Sequence, residues 1–283
     1  MRAKLLIFAL AFVFCLLWLT VQTGAAFSRA RLEKESHQTF SLTSTGQVKL
    51  DNLNGIVRIS TWDRAEVQVD AVKIAETEAE LEEVKIEIDS KPEHIRIHTK
   101  YPTTKWSLWK RNNSTTVEYD LKVPVHAVLE HIENVNGRIE IEGVQGRVHA
   151  STVNGKMSLN GLAADADLDS VNGSILVMFD NLEAVHRASL KTVNGRVSLT
   201  LPPDGNAELS AHTLNGRISS GLDVAPTKHW PIGSDLHGTL GTGGTQIHAE
   251  TVNGAIQFRR GEAGKIARQS ELQAAGPKPE REE

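Results

Sequence analysis

An aliphatic residue followed by Asn and Gly recurs along this chain of 283 residues and constrains its fold more than any other feature. Between Asn136 and Asn215, successive copies of the pattern are 18 to 22 residues apart. Repeats of this size indicate an architecture in which each unit buries its apolar face against the next unit. Seven copies share the same surroundings, and their asparagines are Asn54, Asn136, Asn154, Asn172, Asn194, Asn215 and Asn253.

The residues on both sides of each Asn-Gly alternate between apolar and polar. The second and fourth residues after the glycines are apolar in 13 of 14 cases, which predicts a strand with one buried face. Before each Asn, the apolar residues lie an even number of positions away from it. After each Asn, they lie an odd number of positions away. A straight strand could not bury both sets, so we expect the chain to bend at each Asn-Gly with the aliphatic residue inside the corner.

These patterns predict an all-β protein in which the repeats stack as coils of a β-solenoid with aligned Asn-Gly corners. A second turn in each repeat is expected near Gly143, Gly161 and residues 202–205. The seven asparagines are interpreted as structural, because Asn and Gly tolerate a left-handed backbone and stacked amides can bond along the axis. Asn-Gly also favours hairpins, so a β-sandwich or meander is the alternative.

The repeats divide the chain into four predicted parts. Residues 1–26 form a signal peptide or an N-terminal anchor, and residues 38–129 form an N-terminal β region. This region contains inserted strands near 66–74, 84–89, 94–99 and 116–123, with a short acidic helical turn around 76–83. Residues 130–260 form the β-solenoid repeat region, and the polar residues 261–283 form a disordered tail.

The N-terminal segment predicts export. Arg2 and Lys4 precede an apolar run from Leu5 to Val21, and small residues follow at 24–26, which is the layout of a secretory signal. Cleavage would remove two cations and change the net charge from −4 to −6 (−4 − 2 = −6), and it would leave no cysteine. We therefore expect the periplasm, the cell envelope or the extracellular space, with a membrane partner only through an uncleaved anchor.

The repeated Thr/Ser-Val-Asn-Gly, the sequence Trp62-Asp63-Arg64 after the first Asn-Gly strand, and the closing Glu250-Thr251-Val252-Asn253-Gly254 resemble a known family. They look like the bacterial putative-adhesin family of β-strand-repeat domains, which has no assigned function. The resemblance covers roughly residues 40–260. It implies a bacterial exported or envelope protein with a β-solenoid fold, and it carries no catalytic residues.

No catalytic or cofactor-binding motif is present in the sequence, so we expect neither an enzyme nor a cofactor. Asp165, Asp167 and Asp169 lie on one outward face and could suggest a Ca²⁺ site. In stacked coils, however, Arg147 and Arg187 align with Asp165, and Lys191 faces Asp169, which predicts a salt-bridge ladder instead. The same register stacks His131, His149 and Asp167, but side chains in such a column point outward in parallel. No metal site is therefore predicted.

The predicted binding residues are Arg138, Lys156, Arg196 and Arg217, each directly after a corner glycine. Arg196 is expected directly over Arg217, where two like charges are unfavourable unless they share an anion. This basic ridge on an acidic chain suggests an anionic envelope glycan as partner. The competing interpretation is a solvated face neutralised by Glu140 and other acids.

The predicted function is thus that of an adhesin-like binding protein of the cell envelope, whose partner is a glycan or another envelope protein and not a nucleic acid. A structural or envelope-stress-sensing protein is one alternative. A carbohydrate-active enzyme such as a polysaccharide lyase is the other.

Overall fold

The computed structural model describes residues 31–102, 115–228 and 233–261, and within them the chain is all-β, as the sequence predicts. A single short helix, α1 (Glu78–Glu83), lies among these residues. Residues 1–26 and most of the tail lie outside the described residues, so the expectations for both stay predictions. The strands, in chain order, are β1 (Leu32–Ser41), β2 (Gln47–Asn54), β3 (Val57–Trp62), β4 (Glu66–Ala75), β5 (Lys85–Lys91), β6 (His94–Lys100), β7 (Thr116–Pro124), β8 (Val128–Asn136), β9 (Ile139–Glu142), β10 (Val148–Asn154), β11 (Met157–Leu162), β12 (Ala166–Asn172), β13 (Ile175–Phe179), β14 (Arg187–Asn194), β15 (Val197–Leu201), β16 (Ala207–Asn215), β17 (Ile218–Ser220), β18 (Thr227–Lys228), β19 (Ser234–Leu240), β20 (Thr245–Asn253) and β21 (Ile256–Arg260).

The strands form two large mixed sheets with a hydrophobic core between them. Sheet 1 has ten strands in the order β1-β4-β7-β3-β9-β11-β13-β15-β21-β17. Sheet 2 has eleven strands in the order β18-β19-β16-β20-β14-β12-β10-β8-β2-β6-β5. Two sheets around one core are the layout of the predicted sandwich alternative.

Each of the seven Asn-Gly corners joins a strand of sheet 2 to a strand of sheet 1. At one such corner, β12 ends at Asn172 and β13 begins at Ile175. Neighbouring repeats pair in parallel and in register, with Asn154 opposite Asn172 and Asn172 opposite Asn194. Successive repeats are therefore parallel neighbours rather than the antiparallel neighbours of a meander.

The two strands of a repeat bury opposite parities of the sequence, as the pattern predicts. In β12 the inward residues are Ala166, Leu168 and Ser170, whereas in β13 they are the odd-numbered residues from Ile175 to Phe179. Side chains alternate along a strand, so this shift requires the chain to turn onto the other sheet at the corner. Both strands then contribute to one core of mainly aliphatic side chains.

The last repeat does not stack in chain order. Strand β20 lies between β14 and β16, and β21 lies between β15 and β17. Asn253 is therefore the neighbour of both Asn194 and Asn215. The long connection after β17 makes this insertion sterically accessible, and β19 then covers β16 as an antiparallel neighbour.

The prediction that the aliphatic residue lies inside each corner is wrong. Val171, Val193 and Leu214 are 41 to 47% exposed, although each precedes a corner asparagine. The inward position belongs instead to the polar residue just before it, such as Thr192, whose hydroxyl donates to the Gly173 carbonyl over 3.1 Å. The corner interior contains backbone carbonyls that need hydrogen-bond donors, and an aliphatic side chain could not supply one.

The glycines are required mainly because neighbouring corners approach closely. A Cβ on Gly173 would lie 1.7 Å from the carbonyl oxygen of Gly155, and one on Gly195 would lie 1.9 Å from that of Gly173. A left-handed backbone was expected at the corners, but among the seven corner glycines only Gly55 and Gly137 have a φ in that range, at 133° and 143°. No described non-glycine residue, the corner asparagines included, has a positive φ.

The corner asparagines form a continuous ladder on the surface. Each side-chain amide donates to the side-chain oxygen of the next asparagine over 2.8 to 3.0 Å. All six hydrogen bonds point in the same direction along the stack. The ladder runs from Asn215 through Asn253, Asn194, Asn172, Asn154 and Asn136 to Asn54.

The chain between the first two corners builds the remaining parts of both sheets. Strands β4 and β7 pair antiparallel in sheet 1, and β5 and β6 form a hairpin on sheet 2. The buried Tyr119 hydroxyl lies 2.7 Å from that of Thr99 and so links the two sheets in this region. No helix of the described residues is both long and apolar enough to cross a membrane.

We expect Gly173→Ala to destabilise the fold by about 3 kcal/mol or more, because the new methyl group would overlap a backbone carbonyl that cannot move without disturbing the stack. Gly221→Ala is the matched control, since its nearest atom would be 3.5 Å from the added Cβ. Urea denaturation midpoints measure the difference. Equal midpoints for the two variants would contradict the close approach.

We expect Asn172→Ala to destabilise by about 1 kcal/mol, because it removes one donated and one accepted hydrogen bond from an exposed ladder. Asp167→Ala should change the stability by less than about 0.5 kcal/mol, since its side chain is 55% exposed. Both are measured by urea denaturation, and the reverse order of midpoints would show that the ladder contributes no stability.

Candidate functional site

The four predicted binding residues lie in one column at the corner edge of sheet 1. Backbone hydrogen bonds connect the residues after the glycines from one repeat to the next and define their order. We call this column the basic ridge, and in spatial order it contains Arg138, Lys156, Ser174, Arg196, Ala255 and Arg217. All four cations are exposed, and the column spans five strand spacings, or about 24 Å.

The expectation that Arg196 lies directly over Arg217 is wrong. Strand β21 inserts between β15 and β17, so Ala255 separates the two guanidinium groups. Ser174 separates Lys156 from Arg196 in the same way. These small residues reduce the repulsion among Lys156, Arg196 and Arg217, whereas Arg138 lies directly beside Lys156.

The cations of the basic ridge differ in their partners. Arg138 lies 3.6 Å from Glu140, which it shares with Arg58 at 3.4 Å. In contrast, no carboxylate of the described residues lies within 4 Å of Lys156, Arg196 or Arg217. The neutralisation by Glu140 and other acids that was considered from the sequence therefore occurs at one end of the ridge only.

Beyond β9, which carries Glu140 and Glu142, the sheet surface next to the ridge is free of acidic residues. Five adjacent strands, β11, β13, β15, β21 and β17, contain no Asp or Glu at all. Their side chains other than the core are mostly hydroxyls and amides, such as Ser158, Thr200 and Gln257. Among the described residues, three cations without a carboxylate within 4 Å lie beside strands whose charged residues are Arg259 and Arg260, so this surface is locally positive on a chain of net charge −4.

Most acidic residues of the repeats lie on or next to sheet 2, including the three aspartates once considered for Ca²⁺. Asp169 lies opposite Lys191 in the parallel register, as predicted. Asp165, however, does not pair with an arginine side chain; it accepts the backbone N–H groups of His186 at 2.7 Å and Arg187 at 3.0 Å. Asp165 therefore binds the backbone of a neighbouring connection, and Asp169 faces Lys191 across the sheet. The carboxylates do not converge on one point.

The histidines of sheet 2 stack as the register predicts. The rings of His131 and His149 are 5.8 Å apart, and His149 lies 3.4 Å from Asp167. A third group, Asp51, approaches His131 from the neighbouring strand β2. Sequence reasoning missed Asp51, although the repeat register aligns it with Glu133, because the column considered for His131 held only residues five positions before each corner asparagine.

The exposed aliphatic residues of the corners line a second surface that sequence reasoning missed. A groove of about 420 Å³ on sheet 2 is lined by Asp169 and Lys191 together with the aliphatic residues Val153, Val171, Val193 and Val252. The parity of the strands before each asparagine already places these aliphatic residues outward. That signal was available in the sequence, but the apolar character of the residues favoured the wrong prediction.

A cleft of about 810 Å³ lies at the opposite edge of the repeats, where the connections vary in length. It is lined by Glu183, His186 and Arg187 from one connection and by Asp204 from another. Opposite charges alternate within it, so it offers no surface of one sign. His229 and Trp230, from the longest connection, lie outside the described residues.

No protein-family model matches the sequence, and no curated protein matches it. Solved structures do match. A "putative cell adhesion protein" from Clostridium sporogenes superposes with a TM-score of 0.47 at 12% identity, covering 81% of this chain and 100% of that chain. A "putative adhesin" from Bacteroides fragilis has a TM-score of 0.35 at 12% identity, with 80% and 97% covered.

Asp169, which lines the groove of about 420 Å³, should make the stability of the fold depend on pH. Burial raises its pKa, the charge of Asp167 raises it further, and Lys191 lowers it. Because the pKa is higher in the folded chain than in the unfolded chain, ionisation of Asp169 opposes folding, and this effect is fully present at neutral pH.

We therefore expect Asp169→Asn to raise the urea midpoint at pH 7. The difference from the parent should shrink as the pH falls below the folded pKa and vanish well below the unfolded pKa of about 3.9, where the carboxyl is protonated in both states. Asp89→Asn, on the exposed edge strand β5, controls for the loss of one negative charge. A lower midpoint for Asp169→Asn at pH 7 would show that the contact with Lys191 outweighs desolvation.

Proposed function

We propose that this chain is an exported, bacterial, adhesin-like protein that binds and does not catalyse, and that its basic ridge holds an anionic glycan of the cell envelope. The observation that carries this proposal is the set of unpaired cations Lys156, Arg196 and Arg217 beside five strands without a carboxylate. A negative ligand would meet no repulsion from these strands.

The arrangement favours a linear polymer over a small anion. The cations follow one another at fixed multiples of the strand spacing, along an edge of about 24 Å. Their positions are set by backbone pairing and not by flexible loops, so little ordering of the backbone accompanies binding. A phosphorylated or uronic-acid glycan carries anionic groups at regular intervals and fits such an array. In this proposal the stacked repeats act as coils of a solenoid that displays one cation after another.

Export is supported by the character of residues 1–26, which lie outside the described residues. An envelope protein with an anionic surface would be the alternative partner of the same ridge. A polysaccharide lyase would require uncompensated acids beside a groove, whereas Asp165 accepts two backbone N–H groups and Asp169 faces Lys191. A purely structural or stress-sensing role is favoured by no specific feature of the described residues.

We expect a quadruple variant, Arg138→Gln, Lys156→Gln, Arg196→Gln and Arg217→Gln, to bind isolated envelope glycan more weakly than the parent. Exposed ion pairs contribute about 0.5 kcal/mol each, so four of them would change the affinity about 30-fold. Binding of the parent should also weaken as salt rises from low to physiological concentration, because ions screen exposed charges. Both are measured by titration of the glycan against the folded full chain.

The control removes four cations elsewhere, with Lys85, Lys91, Arg147 and Arg187 changed to Gln. These residues are exposed and lie outside the basic ridge, so the net charge changes equally while the ridge stays intact. Equal weakening by both quadruple variants would assign the effect to net charge. If binding by the parent does not depend on the salt concentration, the proposed ionic contacts are wrong. If neither the parent nor the variants bind the glycan, the proposed ligand is wrong.

A further inference from the structure

Three side chains on the outward face of sheet 2 bring one ligand atom each to a common point. Nε2 of His131 lies 3.2 Å from Oε2 of Glu133 and 3.5 Å from Oδ1 of Asp51. All three atoms lie within 4.8 Å of one another. The strands that carry them, β2 and β8, are parallel neighbours, with Asp51 directly opposite Glu133.

A hydrogen bond from His131 does not satisfy both carboxylate oxygens that face it. A single Nε2 carries at most one proton, yet it faces two carboxylates. Two like charges directly opposite each other on paired strands are unfavourable without a cation between them. A cation bound by all three atoms would resolve both problems.

The interatomic distances match those between ligands of a small divalent ion. Zinc binds imidazole nitrogen and carboxylate oxygen at about 2.0 to 2.2 Å, so two of its tetrahedral ligands lie about 3.4 Å apart. The separations from His131 Nε2, 3.2 and 3.5 Å, lie on either side of this value. An imidazole in the set favours zinc and similar transition metals over Mg²⁺ or Ca²⁺, which prefer oxygen ligands only.

An irregularity of strand β8 aims His131 towards Asp51. The register of β8 shifts against both of its neighbours, between Val48 and Lys49 of β2 and between Val148 and Ala150 of β10. Such a bulge re-aims the side chain next to it. The stacked ring of His149 then supports the His131 ring from the other side.

Two further residues hold Asp51 in place. Arg96 lies 3.5 Å and His98 3.4 Å from Oδ2 of Asp51, the oxygen that does not face His131. Oδ1 is therefore left for a ligand. Residues that fix a ligating carboxylate in this way are a regular part of metal sites in proteins. The Asp51 side chain is 20% exposed and those of His131 and Glu133 about 40%, so an ion can enter and keep an open position.

We propose that Asp51, His131 and Glu133 bind one divalent transition-metal ion of the zinc class, with Arg96 and His98 as positioning residues. The ion would link β2 to β8, two strands that lie far apart in the sequence. The sequence analysis expected no metal, because it considered His131 together with His149 and Asp167 only. This site is on the sheet opposite the basic ridge and does not depend on the proposed glycan binding.

The chain contains its own matched control. His248 and Glu250 repeat the spacing of His131 and Glu133, and their Nε2 and Oε2 atoms are 3.5 Å apart. Across from Glu250, however, lie Lys191 on one side and His212 on the other, where the first cluster has Asp51. The second pair therefore lacks a third ligand in the position of Asp51, so it should not bind a metal.

The test is calorimetric titration of Zn²⁺ into the tag-free full chain at neutral pH, for the parent and for His131→Ala, Asp51→Asn and His248→Ala. We expect the parent and His248→Ala to bind one equivalent that the other two variants lose or bind at least 10-fold more weakly. Co²⁺ provides an independent readout, because its visible absorption changes on coordination by the same ligands. Circular dichroism of each variant checks that it is folded.

A rise of the parent's thermal midpoint with Zn²⁺, absent in Asp51→Asn, would show that the ion links the two strands. The proposal is overturned if the folded parent binds no Zn²⁺. It is also overturned if His248→Ala weakens binding as much as His131→Ala, which would indicate adventitious binding by surface histidines. Equal affinity for Ca²⁺ would refute the assignment to the zinc class.

Discussion

The fold of the repeat region depends on how closely the backbones of neighbouring corners approach. The carbonyl oxygen of each corner glycine occupies the position that a Cβ of the next glycine would need, within 1.7 to 1.9 Å for Gly137 through Gly254. Only glycine permits this approach, and the approach fixes the register of the strands on both sides. The asparagine ladder, the inward hydroxyls and the column of cations all follow from that one register.

Much of this architecture could be predicted from the sequence, because alternation and corner spacing are local signals. The all-β class, the shift of parity at Asn172 and the inserted strands now seen as β4 to β7 are correct. The outward position of Val171 was missed, because its hydrophobicity was given more weight than its parity. The neighbours of Asn253 could not be predicted from the sequence. Every repeat carries the same pairing pattern, so tertiary packing decides the order of the repeats in the stack.

The tripeptide alone was also not sufficient. Leu159-Asn160-Gly161 has the same letters as the corners but lies inside β11, where Gly161 has a φ of 72° and the register with β13 shifts. What distinguishes a corner is therefore the change of parity around it. The proposed metal site depends instead on long-range pairing, because Asp51 and His131 come together only when β2 and β8 pair.

The two sheets divide the charged groups of the repeats between them. On sheet 2, histidines lie beside carboxylates, as with His149 and Asp167, His248 and Glu250, and His212 and Asp235. On the repeat strands of sheet 1 beyond β9, acidic residues are absent. One corner separates the two faces, so the carboxylate–histidine pairs lie on sheet 2 and the basic ridge lies at the edge of sheet 1.

The insertion of β20 between β14 and β16 also determines when the repeats can assemble. While the chain is being made, coils up to Asn194 can dock one after another as they emerge. The repeat of Asn215 cannot join them, because its neighbour in the stack, the repeat of Asn253, has not yet been synthesised. Until then the edges of β14 and β15 remain unpaired, and an unpaired edge is a site of aggregation. A nascent or truncated chain that ends before β20 would therefore be exposed to self-association at this boundary.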